Sequence, residues 1–272
     1  MSINPVLFKE LWQPFRKGKA PWILFIYLLV LGGFTLGFIY LNWRHAPMTF
    51  NPSQSQEIFA VLSVAQLILL AFVTPGLTAG TISGERERQT LDVLLITDLS
   101  PRGIVISKLV SSCAFTLLLV VATFPLYSMV LMFGGIAPAQ LLSMFGFYLV
   151  TMYLFASIGM ACSAFFKRTG ISTITSYGIT ALLGAGTAFL AVFIREVTRN
   201  IYAGIDDMTF PVQFLLDINP VFALLRIMGE GPLLGQEANW VIPYWGVYLI
   251  FYLGVGTLLL LWSGRRLNPL GK

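Results

Sequence analysis

The chain has 272 residues, of which 57% are apolar and only 11% charged, and its mean hydropathy is +0.80. A soluble domain carries about 25% charged residues, and an apolar excess of this size cannot be hidden from water in a fold of this length. The composition excludes a disordered chain, a disulfide-stapled domain and an ordinary cytosolic enzyme, and leaves an integral membrane protein.

The first 21 residues predict an amphipathic helix lying on the membrane surface. Asn4 is its N-cap and Pro5 its first position. Val6, Leu7, Leu11, Pro14 and Phe15 face lipid, with Lys9, Glu10, Arg16 and Lys17 toward water. Six runs then reach the length of about 20 apolar residues that crosses a bilayer: Trp22–Leu41, Ile58–Thr78, Leu109–Phe133, Gln140–Phe166, Ile171–Ile194 and Val241–Trp262. None contains Asp, Glu, Lys, Arg or His, and none alternates at period two, so each reads as a helix. The first run is too long for a cleavable signal and is expected to stay as an anchor. The fold class is therefore all-α: six transmembrane helices in one domain over 1–272, with interfacial helices at the loops.

The charge of +5 is distributed by side. Thirteen of the 17 Lys and Arg residues fall in the N-terminal segment, the 79–108 loop, the Lys167-Arg168 pair and the C-terminal tail. Arg44, Arg195, Arg199 and Arg226 lie on the opposite side. Basic residues stay inside, so both termini are expected in the cytoplasm of a multi-pass cell-membrane protein. Anionic lipid suffices as partner for this charge, and nucleic acid is not called for.

In the 79–108 loop, Ser83 reads as a helix cap, with Glu85 and Glu87 in the first turn complementing the helix dipole. Leu91, Leu94 and Leu95 share one face, and Ser100-Pro101 starts a second helix after a joint at Thr97–Leu99. Such an element suits docking in a groove of a soluble partner. The outer loop, 195–240, holds a short helix capped by Asn219, begun by Pro220 and ended by Gly229, too short to span. Ser172, Ser176, Thr180 and Thr187 line one face of the fifth run. That stripe is either part of a substrate path or a seam of helix–helix hydrogen bonds. Gly33, Gly37 and Gly254 predict close helix contact, and Pro75-Gly76 and Pro125 predict kinks.

Catalytic and metal chemistry is not indicated. His45 is the one histidine, Cys113 and Cys162 lie singly in apolar runs, and no GxSxG or GxxxxGK[ST] pattern occurs. Without ionisable residues in the spans, an ion-coupled carrier is disfavoured.

These features together resemble the permease subunit of a type-2 (exporter-type) ABC transporter. The resemblance runs nearly end to end. It rests on Asn4-Pro5 with Lys9-Glu10, on Thr74-Pro75-Gly76-Leu77-Thr78-Ala79-Gly80, and on Gly84-Glu85-Arg86-Glu87-Arg88 with Thr90-Leu91 and Leu94-Leu95. Leu99-Ser100-Pro101, Lys108, Ser163 through Thr169, and Asn219-Pro220 with Ala223-Leu224 add to it. It implies that a second permease, identical or related, completes the pore, and that cytosolic ATPase subunits on other chains carry the ATP and magnesium. No cofactor is then expected on this chain. The first helix would be the elbow helix. Glu85–Leu95 would be the coupling helix, touching the ATPase through Glu85, Arg86, Glu87, Arg88, Thr90, Leu91, Leu94 and Leu95. Aromatic-rich, uncharged spans suit an amphipathic or hydrophobic cargo. The alternatives are a non-transporting assembly or regulatory subunit, an intramembrane enzyme, and a secondary transporter.

Overall fold

A computed structural model of the chain describes residues 19–43, 52–91, 101–132, 135–201, 210–229 and 243–267. The N-terminal elbow up to residue 18, Leu94, Leu95, the Thr97–Leu99 joint, the Ser100 cap and His45 lie outside them.

The described residues form helices and no strands. In chain order they are α1 (Lys19–Trp43), α2 (Pro52–Thr78), α3 (Ser83–Glu87), α4 (Pro101–Ala122), α5 (Phe124–Met132) and α6 (Pro138–Phe165). There follow α7 (Thr169–Ala181), a π-helical turn (Leu182–Gly186), α8 (Thr187–Ile201), α9 (Phe210–Ile218), α10 (Pro220–Ile227) and α11 (Tyr244–Arg266). Six of the resulting segments are long and apolar enough to cross a membrane. The third span is interrupted at Thr123, two residues before Pro125. There the Thr123 hydroxyl donates to Val120 O at 2.7 Å. Pro75 stands inside α2, and Ala79 N donates to Pro75 O beyond it.

The core is centred on α6, whose Tyr148, Leu154, Phe155 and Met160 are fully enclosed by α2, α4, α7 and α11. Several polar groups here find protein partners, as a medium without water favours. Tyr148 OH donates to Ser63 O at 2.8 Å, the Tyr127 and Tyr148 hydroxyls meet at 3.3 Å, and Thr151 and Tyr248 hydroxyls meet at 2.7 Å. By contrast α1 and the fifth span leave most of their apolar surface uncovered, with Phe34, Leu36, Ile174 and Phe189 all exposed.

The close helix approaches fall at different glycines from those the sequence suggests. A Cβ on Gly33, Gly37 or Gly254 would meet nothing within 4 Å. These three sit on outward faces, where no helix of the same chain approaches. A Cβ on Gly159 of α6 would instead overlap the Thr78 hydroxyl and lie 3.2 Å from Ala79 N. One on Gly256 of α11 would lie 2.6 Å from the Tyr153 ring. Gly159 thus lets α6 touch the backbone at the end of α2. Gly159→Ala is expected to destabilise the protein by about 1–3 kcal/mol through overpacking, read as a lower unfolding temperature in detergent, while Gly33→Ala leaves the isolated chain's unfolding temperature unchanged.

Candidate functional site

The first three residues of the Glu-Arg-Glu-Arg block lie in a five-residue helix, α3, with Arg88 as its C-cap, at the end of the bundle where α2, α6 and α11 terminate and α4 and α7 begin. A helix this short does not persist by itself. Its neighbours hold it.

Ser83 is not the cap. The preceding residue, Ile82, is already in the right-handed helical region (φ −99°, ψ −46°), and Ser83 Oγ donates back to Ala79 O at 3.0 Å. A cap needs extended backbone, which the continuous turn from Gly80 onward denies it. The open N–H groups are met from another helix. Ser163 Oγ, on α6, accepts from Ile82 N and from Ser83 N, each at 2.9 Å. Ser172 Oγ, on α7, donates to Ala79 O at 2.7 Å.

Each of the first three charged residues is engaged within the chain. Lys108 Nζ, at the start of the third span, pairs with Glu85 Oε1 at 2.6 Å, and the lysine side chain is only 5% exposed. Arg86 Nη1 donates to Phe166 O at 3.3 Å. Glu87 accepts from Thr169 N and from Thr169 Oγ1, both at 2.8 Å, and so caps α7 with a carboxylate. Those hydrogen bonds, led by the backbone one, hold the Glu87 carboxyl below the ordinary glutamate range, with Arg168 adding to the effect.

Arg88, Gln89 and Thr90 remain exposed. Gln89 takes a left-handed conformation (φ 58°). Its N–H donates to Arg86 O at 3.1 Å and that of Thr90 to Glu85 O at 2.9 Å, which closes the helix in the paired pattern glycine usually provides. Leu91 turns inward, buried with Ile82, Val105, Leu109, Met160 and Leu267.

Ser172, Ser176 and Thr180 are buried, and Thr180 donates back to Ser176 O at 3.1 Å. Thr187 Oγ1 accepts from Asn219 Nδ2 at 2.8 Å, and the same amide donates to Gly184 O in the π-helical turn at 2.6 Å. Asn219 Oδ1 accepts from Val221 N at 2.8 Å and Phe222 N at 3.1 Å, the cap its sequence position suggests. The α9–α10 pair bends by 82° at this residue. A buried ion pair between Asp217 and Arg226 joins the two arms, and Arg226 stacks over Tyr244. Sequence reasoning missed this pair and the role of Ser163. The signal for the first was an acid and a base nine residues apart in the otherwise uncharged stretch 210–229.

Ser163→Ala removes the acceptor from two buried N–H groups. It is expected to cost about 1–3 kcal/mol and to raise amide exchange at Ile82 and Ser83 while α2 stays protected. The Glu87 contribution is full near neutral pH and is lost as pH falls through its lowered value. The protection factor of the Thr169 amide, measured by hydrogen exchange, is therefore expected to hold from pH 7 down through the ordinary glutamate range and to fall only as the pH passes below it. Glu87→Gln should abolish the acid step.

No curated protein matches the chain. A family model described as ABC-2 family transporter protein matches residues 38–263, a stretch that takes in four complete spans, nearly all of the sixth and the α3 site. Members of this permease family are membrane transport components rather than catalysts, work with ATPase partners and dimerise. With well over half its length matched and six apolar helices to cross the bilayer, the chain belongs to the ABC-2 transporter family and is a multi-pass membrane protein.

Proposed function

We propose that this chain is the permease subunit of an ATP-driven exporter, coupled through its 81–100 loop to ATPase subunits on separate chains, which bind the ATP and magnesium. The observation that carries the reading is the attachment of α3. It is joined covalently to α2, through Ser163 to α6, through Lys108 to α4 and through Glu87 to α7. A push on α3 is therefore felt by four spans together. That is what a coupling element requires, since packed cores shift as units rather than deforming continuously.

The same geometry divides the labour within the Glu-Arg-Glu-Arg block. Glu85, Arg86 and Glu87 fasten α3 to its own bundle, and Leu91 lies in the core beneath it. Arg88, Gln89 and Thr90 form the outward corner offered to the ATPase, with Leu94 and Leu95 as further contacts outside the described residues. The Ser172–Thr187 stripe moves with the fifth span as a packing seam in this conformation. The uncovered faces of α1 and the fifth span receive the second permease subunit. The distribution of Lys and Arg puts α3 and both termini in the cytoplasm, and the lipid-like character of the spans favours an amphipathic or hydrophobic cargo.

Purification of the full chain from its own membranes in mild detergent tests this. An ABC ATPase is expected in the complex, and Arg88→Glu is expected to reduce its recovery about tenfold with membrane insertion unchanged. A complex without an ATPase overturns the exporter reading. Full recovery with Arg88→Glu overturns the assignment of the corner.

A further inference from the structure

The inner ends of the fourth and sixth spans carry a second feature, independent of α3. Phe165, the last residue of α6, and Trp262, on α11, stack with ring centroids 6.0 Å apart and planes at 23°. Both are exposed on the outer surface of the bundle, Phe165 by 46% and Trp262 by 42%. The Arg266 guanidinium lies over this pair, 4.4 Å from the Phe165 centroid and 5.5 Å from that of Trp262. Its immediate neighbours in sequence and across the aromatic pair are Arg265, Lys167 and Arg168, all exposed. Among the described residues no carboxylate pairs with Arg265, Arg266 or Lys167. Of the acids described near this end of the bundle, Glu85 is paired with Lys108, and Glu87 is committed to Thr169 and lies toward Arg168.

We propose that Phe165, Trp262 and Arg266 form a binding site for the headgroup of an anionic phospholipid. The physical argument has three parts. Stacking over two rings fixes the guanidinium before any ligand arrives, so little side-chain freedom is lost on binding. A planar guanidinium offers paired donors that match the two free oxygens of a phosphodiester, which a lysine cannot do. The aromatic rings beneath it lie at the depth where Trp residues mark the membrane interface, and their exposed faces suit the glycerol and upper acyl carbons of the same lipid. Three neighbouring cations that pair with no acid among the described residues disfavour a zwitterionic headgroup's ammonium and favour net negative charge. A soluble phosphate would use only the guanidinium and leave the rings in lipid, so the occupant is a lipid. The site stands whether or not the chain transports a cargo.

The test uses the full-length protein in nanodiscs of phosphatidylcholine with a minor fraction of phosphatidylglycerol. Bromine on the upper acyl carbons of one lipid or the other quenches nearby tryptophan. The difference between wild type and Trp262→Phe isolates the Trp262 signal. Brominated phosphatidylglycerol is expected to quench Trp262 as though enriched about fivefold over its bulk fraction. Arg266→Gln should remove the enrichment and Arg266→Lys should keep part of it. Soluble glycerol phosphate at millimolar concentration should leave it unchanged. Quenching of Trp262 by each brominated lipid in proportion to its bulk fraction in wild-type protein overturns the proposal even if the Arg266 variants do not fold. Enrichment that persists in a folded Arg266→Gln variant overturns the role of the guanidinium. Displacement by glycerol phosphate overturns lipid in favour of a soluble phosphate ester.

Discussion

The Ser163 hydroxyl accepts two backbone N–H groups, those of Ile82 and Ser83, at the point where the second span gives way to α3. A chain that leaves a membrane helix and turns at once into another must satisfy the N–H groups at the start of the second, and water is scarce at that depth. Here the acceptor comes from the centre of the bundle, on α6. The consequence is mechanical. α3 is an extension of the packed core, and the Lys108–Glu85 and Glu87–Thr169 contacts extend the same attachment to the third and fifth spans. Gly159 belongs to this arrangement, because only a residue without a Cβ lets α6 come close enough to Thr78 and Ala79 for Ser163, one helical turn further on, to reach the turn.

The opposite end of the bundle is built on the same economy. Asn219 spends its carbonyl on capping α10 and its amide on Gly184 O and Thr187 Oγ1. The π-helical turn at Leu182–Gly186 places an extra residue in the fifth span, and a carbonyl within it becomes the partner of that amide. The bent α9–α10 pair is thereby tied to the fifth span, just as α3 is tied to the fourth. The buried Asp217–Arg226 pair closes the bend, and Tyr252 OH donates to Ile218 O at 3.1 Å beside it. The fifth span is thus held by single polar side chains on neighbouring elements, Glu87 at its start and Asn219 near its middle.

Family membership and geometry constrain function to different degrees. The family makes the chain a membrane transport component. The α3 attachments say how force would enter it. Neither names a cargo, because a fold hosts many sites. The basic, aromatic corner at Phe165, Trp262 and Arg266 is separate from the outward corner of α3, although Phe166, the next residue, accepts from Arg86. Lipid at one and a protein partner at the other would therefore act on adjoining parts of one surface.

The number of spans and the helical class were legible in the amino-acid sequence, because twenty uninterrupted apolar residues have one stable solution in lipid and six runs of that kind are present. The same holds for the Asn219-Pro220 helix start and the break beside Pro125, which follow from local backbone chemistry alone. The partners of the Glu-Arg-Glu-Arg block were not legible. Glu85 meets a lysine 23 residues away and Glu87 a threonine 82 residues away, and no local pattern encodes such pairings. Ser83 looked like a cap for the same reason: its sequence context is right, and only the turn preceding it, set by packing against α6, takes the role from it. Which glycines approach a neighbour depends likewise on which face of each helix turns inward, and spans that are apolar on every side do not declare that face. Local chemistry decided what the elements are; the packing of six helices decided which of their polar groups meet.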